Sequence, residues 1–207
     1  MILEPNDLIL FQGDSITDAC RNYEDINDLS RGYAFITAAT LLSSYPELNL
    51  RFINKGVSGD RAVQLQERWK KDCLDLKPQV LSLLIGVNDT WRRFDRDLYT
   101  SAEDYAVSVR DILNQAKDNG VRDIVMIEPF LIEIGEDRWK WREDLNEKIY
   151  RYREIAREFG AYYVPMDGIF AQACTRQRGQ YWSLDGVHPT PAGHALMAQA
   201  WLDTVGL

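Results

Sequence analysis

Apolar and polar positions follow two rhythms along this chain, and the switching between them sets out the fold. Short runs of β-compatible apolar residues fall at 8–13, 50–54, 79–85, 123–128 and 161–164. Runs of this length without strict alternation predict strands buried on both faces, as in a parallel sheet. Between them lie stretches with helical spacing. Residues 33–44 form one, stopped at Tyr45-Pro46 because the residue before proline disfavours helix. Residues 62–76 form the next, with Val63, Leu65, Trp69, Cys73 and Leu76 as its apolar stripe. A third spans 102–119 and ends at Gly120, and a charged fourth spans 139–159 and ends at Gly160. Thr190 as cap and Pro191 in the first turn open the last helix. Residues 19–30 are polar and carboxylate-rich and read as a loop.

Five strands with intervening helices predict a three-layer α/β/α sandwich with right-handed crossovers. The expected sheet is flavodoxin-like, parallel, five-stranded and ordered 2-1-3-4-5, in a single domain over residues 1–207. Such sheets do their chemistry in the crevice beyond the carboxyl ends of the strands. The loops after strands one, two and three would meet there, carrying Ser15, Gly59 and Asn88.

Composition narrows the partners. A hydrophobic fraction of 45% supplies a sizeable core, and a net charge of -8 disfavours nucleic acid or an anionic membrane, whose phosphates would be repelled. The first residues lack a basic region and a long apolar core, and no run is long enough to span a bilayer, so a cytoplasmic protein is expected. Three separated cysteines without a Cys-x-x-Cys pair fit reduced thiols. With only His188 and His194 as imidazole ligands, metal chemistry is poorly supported. Exposed aromatic residues hint at self-association into a homo-oligomer.

Ser15 follows the first strand in Gly13-Asp14-Ser15, where a turn or helix cap is the simpler reading of Asp and Ser. A serine needs a base to become a nucleophile. His194 shares a helical face with Met197 and Trp201, which favours a packing or surface role. His188 stands on a loop three residues after Asp185, a spacing that lets the carboxylate fold back to Nδ1 and leave Nε2 for the serine. The Ser15 and Gly59 backbone N–H groups and the Asn88 amide are candidate donors to an oxyanion. Taken singly, each is as readily a turn residue; together they fall on loops at one end of one sheet.

Gly13-Asp14-Ser15, Gly56-x-x-Gly59, Gly86-x-Asn88-Asp89 and Asp185-x-x-His188-Pro189 resemble, in order, the four blocks of the SGNH (GDSL) hydrolases. The resemblance implies a serine esterase on a flavodoxin-like fold, without metal or cofactor. It makes Ser15 the nucleophile, His188 the general base and acid, and Asp185 the orienting carboxylate, with Ser15, Gly59 and Asn88 as the oxyanion hole. The stretches 54–60 and 86–93 look most like intracellular carbohydrate acetylesterases of the acetylxylan esterase kind. That implies a small acylated substrate, an acetylated xylo-oligosaccharide or related sugar. Trp91 and Trp182 lie where an indole face can stack on a sugar, with Trp139 and Trp141 as further candidates, although tryptophans commonly pack in cores. Asp14 is read as an acceptor that holds the loop, and is counted with Trp91 and Trp182 among residues facing substrate.

Two alternatives remain at this stage. A thioesterase, lysophospholipase or arylesterase of the same fold would use the same triad, but the polar stretches 19–30 and 94–101 suit a long acyl chain poorly. A non-catalytic flavodoxin-like module binding phosphate or flavin would need glycines after Ser15 that are absent, and leaves the Asp185–His188 spacing unexplained.

Overall fold

Leu8–Gly13 (β1) is buried along its whole length, as expected of an interior strand of a parallel sheet. The computed structural model describes residues 2–206, except for the side chains at 136 and 137. After β1 come a short helix α1 (Ser15–Asp18), α2 (Tyr33–Ser44) and β2 (Arg51–Asn54). Next are α3 (Ala62–Glu67), α4 (Trp69–Asp72), β3 (Val80–Leu84), α5 (Val87–Arg96) and α6 (Ala102–Asp118). β4 (Asp123–Ile127), α7 (Glu136–Trp139), α8 (Arg142–Glu158) and β5 (Tyr162–Val164) lead to α9 (Met166–Cys174), α10 (Gly179–Trp182) and α11 (Pro191–Thr204).

The five strands form one parallel sheet ordered β2-β1-β3-β4-β5, the order expected from the sequence. Side chains alternate between its faces with the period of two that strands impose. Ile9, Phe11, Val80 and Val125 pack on one side with Tyr33, Leu41, Met197 and Trp201 of α2 and α11. Leu10, Leu81, Leu83 and Met126 pack on the other with Leu65, Tyr105, Ile112, Tyr152 and Ile155 of α3, α6 and α8. Several polar atoms that enter the core find partners, although Trp69 Nε1 and Thr37 Oγ1 are buried without one. The Trp201 Nε1–H donates to Ser82 Oγ (3.1 Å), and the hydroxyls of Tyr152 and Tyr105 donate to the carbonyls of Leu83 (2.8 Å) and Ile85 (3.0 Å). Thr190 caps α11 as expected, its side chain accepting from the Gly193 N–H. No helix among the described residues is long and apolar enough to cross a membrane.

Three sequence expectations are corrected. The helix expected over 62–76 breaks at Arg68 (φ -99°, ψ 2°) and ends in a 3-10 turn, Leu74–Leu76. Arg68 turns inward there, donating to Asp60 Oδ2 (2.6 Å), Gln12 Oε1 (3.0 Å), and the carbonyls of Lys55 (2.8 Å) and Gly13 (3.1 Å). It thereby satisfies acceptors at the carboxyl ends of β1 and β2. The helix expected over 139–159 is two helices, with Trp141 buried at the junction against Phe94 and Trp91. Asn88, expected on the loop after strand three, lies in helix α5. The buried residues of this helix are Val87, Asn88, Asp89 and Thr90, three of the four polar, so the apolar face is weak.

Candidate active site

β1 ends at Gly13, where a Cβ would meet the Leu84 carbonyl at 2.3 Å, so only glycine lets the chain turn this close to β3. Asp14 then caps α1: its Oδ1 accepts from the Ile16 N–H (3.0 Å) and its carbonyl from the Asp18 N–H (2.9 Å). Ser15 is thereby fixed at the first position of α1, over the crevice. No acceptor among the described residues takes its backbone N–H.

Ser15 Oγ lies 2.8 Å from His188 Nε2, and His188 Nδ1 lies 2.6 Å from Asp185 Oδ2. The turn carrying this pair is closed by its own backbone. Asp185 Oδ1 accepts from the N–H groups of Val187 (2.9 Å) and His188 (2.7 Å) and from Ser183 Oγ (3.1 Å), while Ser183 and Pro189 form an isolated bridge. Burial disfavours the Asp185 carboxylate, but the hydrogen bonds from His188 and Val187 outweigh it and hold the group well below the usual carboxylate range. His188 moves the other way. Its hydrogen bond to Asp185 raises its pKa above the ordinary imidazole value against the opposing effect of burial. A hydrogen bond from Nδ1–H to Asp185 leaves the Nε2 lone pair for the serine proton.

The other two oxyanion candidates come from the turn after β2 and from the start of α5. Gly59 sits at φ +89°, a backbone that favours glycine, in the exposed turn after β2. Asn88 is 2% exposed, in the first turn of α5. Its Oδ1 accepts from Arg92 Nη2 (3.0 Å) and its Nδ2 donates to the Asp60 carbonyl (3.1 Å), which fixes the amide orientation and leaves a second Nδ2 hydrogen. Asp89 ties the two loops together by accepting from the Ala62 N–H (3.1 Å). Burial pushes its carboxyl up to about 7 against the effect of that bond. Beneath α5, Thr90 and Arg93 bond to Asp144 at 2.7 and 3.1 Å, and Asp144 also pairs with the fully buried Lys148 of α8.

The residues assigned to substrate divide. Trp91 stands beside the His188 imidazole, ring centroids 5.9 Å apart, and packs on Trp141 at 5.2 Å. Trp182 flanks the catalytic turn by accepting from the Thr190 N–H at its carbonyl (2.8 Å), and its indole N–H is spent on the Gln177 carbonyl (3.2 Å). Trp139 is exposed. Asp14 does not face substrate. It is fully buried, and burial pushes its carboxyl up to about 7 while the Ile16 N–H and His188 draw it down. The sequence places a carboxylate beside the nucleophile but carries no sign of its direction.

Arg138 carries no sign of its place in the sequence, and His194 lies closer to Ser15 than its helical face suggests. Arg138 Nε donates to the Asp185 carbonyl (3.0 Å) while its guanidinium lies over Trp141 and Trp91, at 4.2 and 5.1 Å from the ring centroids. This bond spans 47 residues and has no local signal. His194, expected in a packing or surface role, lines the cleft that holds Ser15 and His188. That cleft, about 420 Å³, is also walled by Ser15, Ile16, Cys20, Ser58 and His188. His194 Nδ1 accepts from the Tyr33 N–H (3.2 Å), so its proton resides on Nε2, and burial pushes its pKa down to about 4. No group of three or more His, Cys, Asp or Glu side chains among the described residues is placed to hold a metal ion.

Residues 11–196 match the GDSL-like lipase/acylhydrolase family. The chain is 31% identical over 206 residues to an acetylxylan esterase from Geobacillus stearothermophilus, covering 96% of this chain and 93% of that one. The crystal structure of that esterase superposes with a TM-score of 0.93 at 30% identity, covering 100% of this chain and 97% of the other. A GDSL-like lipase from Parabacteroides merdae superposes with a TM-score of 0.94 at 36% identity, over 99% of this chain and 97% of the other.

Proposed function

This chain belongs to the GDSL-like lipase/acylhydrolase family and is a carboxylic-ester hydrolase, and from that premise we propose that it removes acetyl groups from xylo-oligosaccharides through an acyl-enzyme on Ser15. The observation that carries the reading is the continuous hydrogen-bonded line from Ser15 Oγ through His188 to Asp185, at 2.8 and 2.6 Å. Its substrate class rests on the likeness to the Geobacillus acetylxylan esterase.

In the first half of the cycle, Ser15 Oγ attacks the ester carbonyl as His188 Nε2 takes its proton, and Asp185 stabilises the imidazolium. Negative charge gathers on the carbonyl oxygen, where the N–H groups of Ser15 and Gly59 and the second Nδ2–H of Asn88 are the donors. Each such donor is worth about 10²–10³ in turnover. The tetrahedral intermediate collapses, the sugar alkoxide leaves with the proton held by His188, and acetyl remains on Ser15. Water then repeats the sequence: His188 removes its proton, the hydroxide attacks, and acetate departs as Ser15 recovers its hydrogen.

The test is the rate of release from p-nitrophenyl esters, acetate to octanoate, with Ser15→Ala beside the wild type, followed by acetate release from acetylated xylo-oligosaccharides. The expected pattern is Ser15-dependent activity that falls steeply beyond acetate and carries over to the oligosaccharide. Rates that rise toward octanoate would replace this reading with a long-chain acyl esterase using the same triad.

A further inference from the structure

Ser58, which walls the cleft of Ser15 and His188, also walls a second cavity of about 340 Å³, lined further by Gly59, Asp60, Arg61, Gln64, Arg92, Arg96 and Leu98. Its size falls in the range of about 300–1,000 Å³ typical of small-molecule sites. Three guanidinium groups facing one cavity are unexpected in a chain of net charge -8. The charges around them do not cancel. Asp60, the one carboxylate in the wall, is engaged by Arg68 (2.6 Å), and Arg92 is paired with Asp95. Arg61 spends donors only on neutral oxygens, Gln64 Oε1 (3.1 Å) and Thr100 Oγ1 (3.4 Å). Arg96 has no hydrogen-bond or ion-pair partner among the described residues. Two positive charges therefore stand without counter-ions beside the oxyanion-hole glycine.

We propose that this cavity is a subsite for an anionic substituent on the sugar, a uronate carboxylate or a phosphate, held by Arg61 and Arg96. Planar guanidinium forks match both oxyanions. A wall half-screened from water strengthens the attraction relative to a flat surface. Arg92 stands between the subsite and the reacting centre, since the same guanidinium that lines the cavity orients Asn88. An anion seated there is thus registered against the oxyanion hole, and the acetyl group cleaved is one on the charged residue or its neighbour. The inference rests on the sugar-ester reading above.

The test uses inhibition of p-nitrophenyl acetate hydrolysis at fixed ionic strength by glucose, glucuronate and glucose 6-phosphate, in wild type, in Arg96→Gln and in the Arg61→Gln/Arg96→Gln double variant. A competitive inhibition constant at least tenfold lower for an anionic sugar than for glucose, collapsing toward the glucose value in the double variant, is the expected result. Preference for glucuronate alone identifies a carboxylate as the ligand, and preference for glucose 6-phosphate alone a phosphate. Equal inhibition by all three sugars, or a preference that survives in the double variant, overturns the subsite. The exposed Arg96→Gln change alone should remove part of the preference, so a double variant that fails to fold still leaves a decisive measurement. In parallel, acetate release from neutral and uronate-bearing acetylated xylo-oligosaccharides tests the reading beneath it. If neither is cleaved while p-nitrophenyl acetate is, the oligosaccharide assignment fails and the inhibition constants still decide the subsite.

Discussion

Two imidazoles line the same cleft and are driven to opposite states by what stands behind them. His188 is backed by a carboxylate on its own turn, and its basicity is raised. His194, in the first turn of α11, is backed by a main-chain N–H that occupies its Nδ1 lone pair, and burial pushes its pKa down to about 4. A main-chain donor on Nδ1 leaves the proton of the neutral His194 ring on Nε2, while a carboxylate on Nδ1 leaves His188 Nε2 free to act as a base. For His188 the carboxylate partner outweighs burial, whereas His194 has no carboxylate to offset it.

That contrast can be broken most severely by removing its active half. Ser15→Ala and His188→Ala should each lower kcat on p-nitrophenyl acetate by about 10⁴-fold or more, with the melting temperature near that of wild type. Comparable rates in either variant would end the triad assignment. Asp185→Asn should cost about 10²–10⁴ in kcat, because the amide no longer stabilises the imidazolium. It should also move the acid limb of kcat/KM. In wild type that limb lies above the unperturbed histidine value of about 6.5, because the pKa is raised and the base works only when neutral. Activity therefore falls as pH drops through a point above about 6.5, and in Asp185→Asn that point shifts to lower pH.

Arg92→Leu comes next. It frees the Asn88 amide to turn, and kcat should fall about tenfold with KM less affected, since the lost interaction is with the oxyanion. The smallest effect is expected from His194→Ala, a loss of less than about tenfold without movement of the acid limb. Leaving the Tyr33 N–H without its acceptor costs about 1 kcal/mol, seen as a lowering of the melting temperature by roughly 2–4 °C. If the acid limb moved in His194→Ala instead, the two imidazoles would have to exchange roles.

The sheet is legible in the sequence because its strands are buried on both faces. An unbroken apolar run as short as Leu8-Ile9-Leu10-Phe11 leaves water on both sides only when it lies between two packed layers. The Asp185–His188 pair is legible too, since its geometry is a property of three consecutive peptide units and needs no distant partner. Helix α5 is not. Three of the buried residues there are Asn88, Asp89 and Thr90, satisfied by Ala62, Asp60 and Asp144 from elsewhere in the chain. The spacing Val87, Trp91, Phe94 is the one helical trace in that stretch. Arg68, Arg92 and Arg138 are invisible for the same reason: each is a surface-type residue whose role is set by a carbonyl or amide brought to it by folding. Asp14 shows the converse, a residue in the right place whose side chain points the other way.

The turn that carries Asp185 and His188 is held by Asp185 Oδ1, Ser183 and the bridge to Pro189, with the Ile132 N–H and Arg138 Nε donating to its carbonyls at Gly186 and Asp185. The entropy of aligning acid, base and nucleophile is therefore lost once, when the chain folds, and not again at each turnover. Loops other than the 129–141 segment, whose Ile132 and Arg138 bond to that turn, are free to lengthen, shorten or change charge without breaking a bond to it. Descendants of such a chain can change diet while keeping the same engine.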